Sequence, residues 1–363
     1  MHVLASHPFF WPHVARGAER EVHDIGAGLV QRGHRVDLIT GQPTGLTSRA
    51  RVDGVAVRYV RTPLPGVLER RGLQREGAFG AVVAGASLVS RADVVACFHY
   101  ADAVGAAVRP RRPIVLKLTG TVPRYRVDNE PVERRLLQRA LDVADEVWVN
   151  SAYARDSMAE WGREMHVLPA GLDDVTFTLG AERATRPTVL CASTPDEPRK
   201  RVVDLVEAWP AVLDAVPDAQ LLLAGAASEQ TRADLLGRLP DPAGVRFVGT
   251  LKGAELAAAY GSAHVVVAPS VYEALGLVTL EALACGTPVA GANSGATPEL
   301  LAQPGTGTLF EPVDPASCAE AVVRALALSE EAGIRQRCRD AALPYALEGV
   351  VDQVESRLQA LLR

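Results

Sequence analysis

The chain has 363 residues, of which 48% are hydrophobic and 22% are charged, and its net charge is −5. This length and composition predict two globular domains and exclude a long disordered chain. Five scattered cysteines without CxxC spacing exclude a zinc ribbon and a disulfide framework, so we expect a cytoplasmic protein. The first residues lack the pattern of a signal peptide, and no apolar run is long enough for a membrane span.

From the N-terminus onward, the apolar pattern predicts alternating strands and helices. His2 to Ala5 and Arg35 to Ile39 are predicted strands, and they flank a helix from Arg20 to Arg32 that Gly33 ends. Residues 77–90 are rich in Gly, Ala and Ser, and they predict a buried helix packed closely against a neighbour. The other predicted elements of this half are a helix at 132–143 and strands at 55–60, 93–98, 114–118, 146–149 and 165–168.

After a linker near residues 169–187, the same pattern restarts. The predicted strands are 188–192, 220–224, 245–248, 264–268 and 288–290, and the predicted helices are 202–216, 253–262, 278–284, 315–328 and 350–362. Alternation of this kind predicts parallel sheets covered by helices on both faces. We therefore expect an α/β protein with one Rossmann-like domain at 1–170, joined by a C-terminal helix at about 345–363, and a second at 171–344. The two parallel sheets are expected to face each other across a ligand-binding cleft.

The charge is unevenly distributed. Residues 1–170 carry 23 basic and 18 acidic residues, whereas the remainder is acidic. A basic first half favours an anionic acceptor or peripheral membrane contact, and a solvated surface with chance asymmetry is the alternative. The basic residues are not interleaved with aromatic residues on one element, so nucleic-acid binding is not expected. The oligomeric state is not determined by the sequence.

Lysine is rare in this chain. Only Lys117, Lys200 and Lys252 are lysines among 38 basic residues. Lysine is a compact point charge that arginine does not always replace, so each surviving lysine is informative.

The strongest motif runs from Glu273 to Glu281 (EALGLVTLE), where an apolar strand is followed by a helix start. Backbone N–H groups and the dipole of a helix N-terminus suit a phosphate, and Gly276, between Leu275 and Leu277, permits close approach. The two glutamates are roughly 10 Å apart at ~1.5 Å rise per residue, which suits two different groups of one elongated ligand. On spacing alone, two carboxylates that only serve the helix dipole are an equal alternative.

This segment resembles the E-x7-E signature of retaining glycosyltransferases, especially glycosyltransferase family 4. Further segments resemble that family in the same order and spacing: 16–20, 32–34, 245–249, 285–289, 294–299 and 305–314. The resemblance implies a GT-B fold and transfer of a sugar, with retention, from a nucleotide-diphosphate sugar to an acceptor hydroxyl. The implied donor is a UDP- or GDP-sugar, and the acceptor is a natural product, a lipid or a cell-envelope glycan. No cofactor is implied, and since no His/Cys/Asp cluster has metal-ligand spacing, we expect no metal site.

The resemblance also implies roles for individual residues of the second half. Glu273 is expected to contact the donor sugar near the diphosphate, and Glu281 to hold the ribose hydroxyls. Lys200 matches the lysine that neutralises the diphosphate, with Arg199 and Arg201 beside it as possible assistants. A solvated basic patch is the alternative for Lys200.

Three glycines complete the expected donor site. The donor base is expected near Gly249, and the backbone of Gly295 is expected to approach the donor sugar. Gly17 is expected near the diphosphate from the first domain.

Four positions depart from the family pattern, namely Arg16, Thr119, Ala170 and Thr194. Thr194 replaces an arginine that usually precedes the donor lysine. Arg16 replaces the first glycine of the N-terminal pair and is a candidate for supplying a missing positive charge at the donor site. Thr119 replaces a histidine that normally lines the sugar site, which predicts a changed acceptor side. His99 and His13 are the other acceptor-side candidates, and a histidine that is merely packed or hydrogen-bonded is the alternative.

Two other functions remain open on the sequence. The chain is alternatively a catalytically degenerate homologue that binds a nucleotide or glycan and serves as a regulatory or scaffold partner, as the changes at Thr119 and Thr194 suggest. Retention of Glu273, Glu281 and Lys200 opposes that reading. A nucleotide-sugar epimerase on the same fold is a third hypothesis, although the match is to the transferase signature.

Overall fold

The computed structural model of the protein describes residues 1–10, 17–42, 47–61, 77–109 and 111–363. The chain divides into two compact units. The first unit comprises residues 1–171 and 347–363, and the second comprises residues 172–346. Each unit has its own sheet and its own apolar core.

The first unit is built on an eight-stranded sheet. Its strands are β1 His2–His7, β2 Arg35–Gln42, β3 Ser48–Val52, β4 Val55–Arg61, β5 Val94–Cys97, β6 Ile114–Leu118, β7 Glu146–Val149 and β8 His166–Val167. Their order is β3-β4-β2-β1-β5-β6-β7-β8, and all recorded pairings are parallel except the antiparallel β3–β4 pair. The strand order reverses at β1, which pairs with β2 on one side and with β5 on the other. Ligands of such sheets bind beside the carboxyl ends of the strands at a reversal of this kind.

Helices of the first unit follow the apolar spacing of the sequence. They are α1 Gly17–Gln31, α2 Gly80–Val89, α3 Tyr100–Ala106, α4 Pro131–Val143, α5 Ala152–Ser157 and the C-terminal helix Leu347–Ala360. In α1, Val22, Ile25 and Leu29 are buried because their spacing places them on one face of the helix. Helix α1 packs against the C-terminal helix so closely that a Cβ atom on Gly28 would lie 2.6 Å from a methyl group of Val351.

Helix α2 departs from the predicted buried helix at 77–90. It packs closely on α3, since a Cβ atom on Gly105 would lie 2.0 Å from the carbonyl oxygen of Gly80. However, Leu88 and Val89 are 61% and 77% exposed. The predicted close packing against a neighbour is therefore confirmed, whereas the predicted burial holds for one face only, because small residues bring just that face of this uniformly apolar helix against α3.

The second unit is built on a six-stranded, entirely parallel sheet. Its strands are β9 Thr188–Ala192, β10 Gln220–Ala224, β11 Val245–Gly249, β12 Val265–Ala268, β13 Val289–Ala292 and β14 Gly307–Phe310. Their order is β11-β10-β9-β12-β13-β14. Here the order reverses at β9, which pairs with β10 and β12, so the segments that follow β9 and β12 flank the expected ligand position.

The helices of the second unit, numbered onward from α5, cover both faces of this sheet. They are α6 Val202–Ala215, α7 Glu229–Leu236, α8 Gly253–Ser262, α9 Leu277–Ala284, α10 Thr297–Leu300, α11 Pro315–Ser329 and α12 Ile334–Ala342, and the C-terminal helix of the first unit becomes α13. Helices α6 and α11 bury Trp209 and Val322 in the core beside Leu221 of the sheet. No helix in the described part of the chain is long and apolar enough to cross a lipid bilayer.

Candidate functional site

Two loops meet at the carboxyl edge of the second sheet. The loop after β9 contains a short turn of 3₁₀ helix at Pro198–Lys200, and the loop after β12 leads to Glu273 and Gly276. The backbone N–H of Val271 donates to the carbonyl of Arg199 at 3.0 Å. This main-chain bond holds the two loops together at the reversal in strand order.

An ion-pair cluster joins the same two loops. The Oε1 atom of Glu273 lies 2.7 Å from Lys200 Nζ and 2.9 Å from Arg199 Nη1. Burial raises the pKa of Glu273, but the two cations lower it more, so the net pKa lies below its ordinary value and the carboxylate is charged at neutral pH. Side chains of Lys200 and Glu273 are each 21% exposed. The cluster is therefore partly buried and still accessible enough to meet a ligand.

The structure distinguishes the two arginines that flank Lys200. Arg199 pairs with Glu273 and with Glu197, whereas Arg201 forms a two-pronged pair with Asp204 of α6. The side chain of Arg201 therefore stabilises the start of α6. Arg199 lies in the cluster with Lys200.

The start of α9 is the second element of the site. Gly276 has a φ angle of +100°, which favours glycine, and its carbonyl accepts from the backbone N–H groups of Thr279 and Leu280. The next two residues, Leu277 and Val278, begin the helix, where backbone N–H groups point out of the helix end. Such a helix start attracts an anion.

Gly295 lies directly against Glu273. A Cβ atom on Gly295 would lie 2.6 Å from both the backbone nitrogen and the backbone oxygen of Glu273, and its φ angle is +64°. The next residue, Ala296, donates its N–H to the carbonyl of Glu273 at 3.0 Å. The structure thus brings Gly295, Glu273, Lys200 and Arg199 together.

The second glutamate of the motif lies within α9. Glu281 is 7% exposed, and its Oε2 atom accepts a hydrogen bond from the hydroxyl of Tyr260 at 3.2 Å.

Leu275, at the loop that leads to α9, is 4% exposed and packs into the unit. Gly249 lies further away in the sheet order, at the end of β11, with a φ angle of +76° and a carbonyl that accepts from Gly225.

The first unit contains the remaining predicted site residues. Gly17 is the first residue of α1 and is exposed, whereas Arg16 and His13 lie outside the described residues. His99 caps α3, where its Nδ1 accepts from the backbone N–H of Ala101 at 3.2 Å, and its ring stacks on Tyr100.

The ring of His99 is neutral. Burial, followed by the neighbouring His7, lowers the pKa of His99 to about 3.

Thr119 is half-buried just after β6, and its carbonyl accepts from Asn150 at 3.2 Å.

Sequence reasoning assigned no contact to Lys117. Its Nζ atom lies 3.1 Å from Glu21 Oε1 and 2.5 Å from Asn150 Oδ1, and it also donates to the carbonyl of Leu168. Burial lowers the pKa of Lys117, and Glu21 partly opposes this effect. The one available signal was the rarity of lysine, together with the position of Lys117 inside an apolar strand.

Residues with metal-binding potential are dispersed. Across the described ranges, no group of three His, Cys, Asp or Glu side chains is arranged to hold a metal ion. All five cysteines are buried and unpaired, and burial raises the pKa of each.

Comparison with protein families identifies both halves of the chain. A family model described as Glycosyltransferase Family 4 matches residues 15–175, and one described as Glycosyl transferases group 1 matches residues 186–327. Together the two models cover well over half of the chain.

Curated relatives match part of the chain. A phosphatidyl-myo-inositol mannosyltransferase of Mycobacterium leprae is 33% identical over 183 residues, which are 49% of this chain and 48% of that protein. A D-inositol 3-phosphate glycosyltransferase of Corynebacterium jeikeium is 32% identical over 220 residues, which are 53% of this chain and 52% of that protein. The chain thus spans about half the length of these relatives.

Solved structures resemble the chain over its whole length. A sucrose-phosphate synthase from Thermosynechococcus elongatus has a TM-score of 0.81 at 22% identity and covers 99% of this chain and 98% of its own. Anabaena HepE in complex with UDP-glucose has a TM-score of 0.77 at 19% identity and covers 99% of this chain and 100% of its own. These likenesses show the fold, which is GT-B with two Rossmann-like parallel sheets, and they confirm the predicted fold class.

Proposed function

Because the chain belongs to glycosyltransferase family 4, we propose that it transfers a sugar from a nucleotide-diphosphate sugar to an acceptor hydroxyl, with retention and without a metal ion. The observation that carries this proposal is the cluster of Lys200, Arg199 and Glu273 beside the start of α9. Two cations and a helix N-terminus at one sheet edge suit a diphosphate.

The cluster would favour departure of the diphosphate. When the bond between the anomeric carbon and the diphosphate oxygen breaks, negative charge grows on the diphosphate. Lys200, Arg199 and the N–H groups at the start of α9 would stabilise that charge, which lowers the barrier. Both cations pair with Glu273, so the diphosphate would compete with a carboxylate for them.

Transfer itself requires no further protein base in this proposal. The acceptor oxygen would bond to the anomeric carbon on the face that the diphosphate leaves, and its proton would pass to a diphosphate oxygen. Glu273 would contact the donor sugar, and Glu281 would hold the ribose hydroxyls. The neutral His99 then has no required role in proton transfer.

A UDP- or GDP-sugar is the donor that we propose. HepE, which shares the fold, was solved with UDP-glucose, and the curated relatives include mannosyltransferases. The proposed acceptor is a natural product, a lipid or a cell-envelope glycan. Peripheral membrane contact and a cytoplasmic location also belong to the proposal.

Calorimetric titration with UDP, GDP, ADP and TDP tests the donor site. We expect one nucleotide to bind clearly more tightly than the others, and Glu281→Ala to weaken that binding. Glu255→Ala, which changes an exposed glutamate of α8, is the matched control and is expected to bind normally. Failure of all four nucleotides to bind the wild-type protein would refute the proposal.

A catalytically degenerate binder or scaffold is the second candidate, and it is favoured by Thr194 and Thr119 at two positions where the family pattern differs. Thr194 is exposed in the loop after β9, near the cluster. Prolonged incubation with UDP-glucose or GDP-mannose without acceptor discriminates the two. An enzyme is expected to hydrolyse its donor slowly and to release the sugar first as the donor's anomer, which NMR detects, whereas a binder releases none.

A further inference from the structure

A tyrosine in α8 touches the second glutamate of the motif. Tyr260 is fully buried, and its ring centroid lies 6.0 Å from that of Phe177. Its hydroxyl donates to Glu281 Oε2 at 3.2 Å. The bond joins two helices, α8 and α9, that are separated along the chain by β12 and the loop of Glu273.

Burial makes this hydrogen bond consequential. A phenol hydroxyl taken out of water needs a partner, because a buried polar group without one destabilises the fold. Burial, together with the Glu281 carboxylate, raises the pKa of Tyr260 well above its ordinary value. The hydroxyl therefore keeps its proton and acts as a donor to the carboxylate.

The tyrosine is itself held in place. Its carbonyl accepts from the hydroxyl of Thr287 at 2.7 Å and from the backbone N–H of Ala263 at 3.2 Å. The main chain of Tyr260 is thus anchored, and its buried side chain brings the hydroxyl to one oxygen of the Glu281 carboxylate. A carboxylate held in one orientation binds a ligand with a smaller loss of side-chain entropy.

We infer that Tyr260 is a positioning residue for the nucleotide ribose: its hydroxyl holds the Glu281 carboxylate in the orientation that accepts the two ribose hydroxyls. The inference rests on the proposed function, because Glu281 meets a ribose only if the site takes a nucleotide. Tyr260 itself contacts no ligand in this scheme, and it acts through Glu281 alone.

The test compares nucleotides with and without the ribose hydroxyls. Wild type and Tyr260→Phe are titrated by calorimetry with UDP and GDP and with their 2′,3′-dideoxy counterparts. The phenylalanine keeps the ring packing and removes only the hydroxyl. We expect Tyr260→Phe to weaken binding of the preferred ribonucleotide about fivefold, because binding must then order the released Glu281 side chain, and to leave binding of the dideoxy form unchanged.

The first unit offers a matched control. Tyr100 of α3 is also buried, and its hydroxyl donates to Glu133 at 2.5 Å. Tyr100→Phe removes the same kind of hydrogen bond from the other unit. Both variants are expected to lose thermal stability, but only Tyr260→Phe is expected to reduce the preference for a ribonucleotide over its dideoxy form.

A double variant shows whether the tyrosine acts through Glu281. If it does, Tyr260→Phe combined with Glu281→Ala binds the ribonucleotide no more weakly than Glu281→Ala alone. Equal weakening of the ribo- and dideoxynucleotides by Tyr260→Phe, or no weakening of either, would overturn the inference while leaving the donor site intact. A wild type that binds neither nucleotide overturns the proposed function, and the inference with it.

Discussion

Each unit of the molecule holds a lysine–glutamate ion pair near the carboxyl end of a strand, and the two pairs differ in burial. The buried pair, Lys117–Glu21, has side chains that are 1% and 2% exposed. The accessible pair, Lys200–Glu273, has side chains that are each 21% exposed. The buried lysine is also bonded to Asn150 and to a backbone carbonyl, whereas the accessible lysine shares its glutamate with Arg199.

The difference shows how one pair of residue types serves two purposes. Breaking the buried pair is strongly destabilising, because it leaves an uncompensated charge in the core. Breaking an accessible pair costs little free energy, because solvent screens the separated charges. The Lys117–Glu21 pair is therefore suited to hold α1 on β6. Lys200 is suited to exchange the carboxylate of Glu273 for a phosphate.

Lys117→Met should give the largest effect on stability. It removes the cation beside Glu21, so we expect the first unit to lose about 3 to 5 kcal/mol of unfolding free energy. Urea unfolding followed by hydrogen-exchange mass spectrometry measures this, because peptides report the two units separately.

The double variant Lys117→Met with Glu21→Leu is the control for that effect. It removes both charges and is expected to be clearly more stable than Lys117→Met alone, since no buried charge is left without a partner. A loss below about 1 kcal/mol in the single variant, the range of exposed pairs, would erase the contrast between the two pairs.

Lys200→Gln should affect turnover rather than stability. Loss of one charge-stabilising donor in an active site lowers kcat by about 100-fold to 1000-fold, whereas loss of an exposed ion pair costs about 0 to 1 kcal/mol of stability. Donor hydrolysis with UDP-glucose or GDP-mannose and urea unfolding are the two measurements. A variant with normal turnover but a destabilised second unit would mean that both pairs are structural.

Arg199→Gln should produce a smaller loss, with Arg201→Gln as its neighbour control. Arg199 shares Glu273 with Lys200 and is more exposed, at 35%, so we expect turnover to fall about tenfold, or about 1.4 kcal/mol in the barrier. Arg201 pairs with Asp204 instead, so its variant is expected to turn over donor normally. Equal losses in both variants would show that general positive charge, and not the ion pair with Glu273, determines the rate.

The sequence predicted the fold better where strands are buried than where they are exposed. Apolar runs such as Ile114 to Leu118 and Val265 to Ala268 gave strands, because both faces of a parallel sheet are covered. Strand β3, Ser48–Val52, was not predicted, since it lies at the sheet edge and its residues are almost all exposed. Strand β14 was also missed, because its residues are partly exposed and lack a long apolar run.

Local sequence gave the candidate site only in part. Glu273, Glu281 and Lys200 were found through the resemblance to family 4, and their roles stay predictions. Arg199 and Arg201 are one residue from Lys200 on either side, so only the folded loop shows which one meets Glu273. Tyr260 lies 21 residues from Glu281, and no spacing rule connects a tyrosine at the end of one helix to a carboxylate in the next.

Acid titration should give the smallest effect and the finest comparison of the accessible pair with its variant. Burial raises the pKa of Glu273, but Lys200 and Arg199 lower it below the ordinary value of 4.5. A carboxyl group with a lowered pKa in the folded state contributes stability that is fully present above its unfolded pKa and is lost as the pH falls through its folded pKa. The second unit of wild type should therefore lose more unfolding free energy between pH 5 and pH 3 than that of Glu273→Gln, in urea titrations read by hydrogen exchange. Parallel curves for the two proteins would mean that Glu273 keeps an ordinary pKa and that the two cations do not hold it.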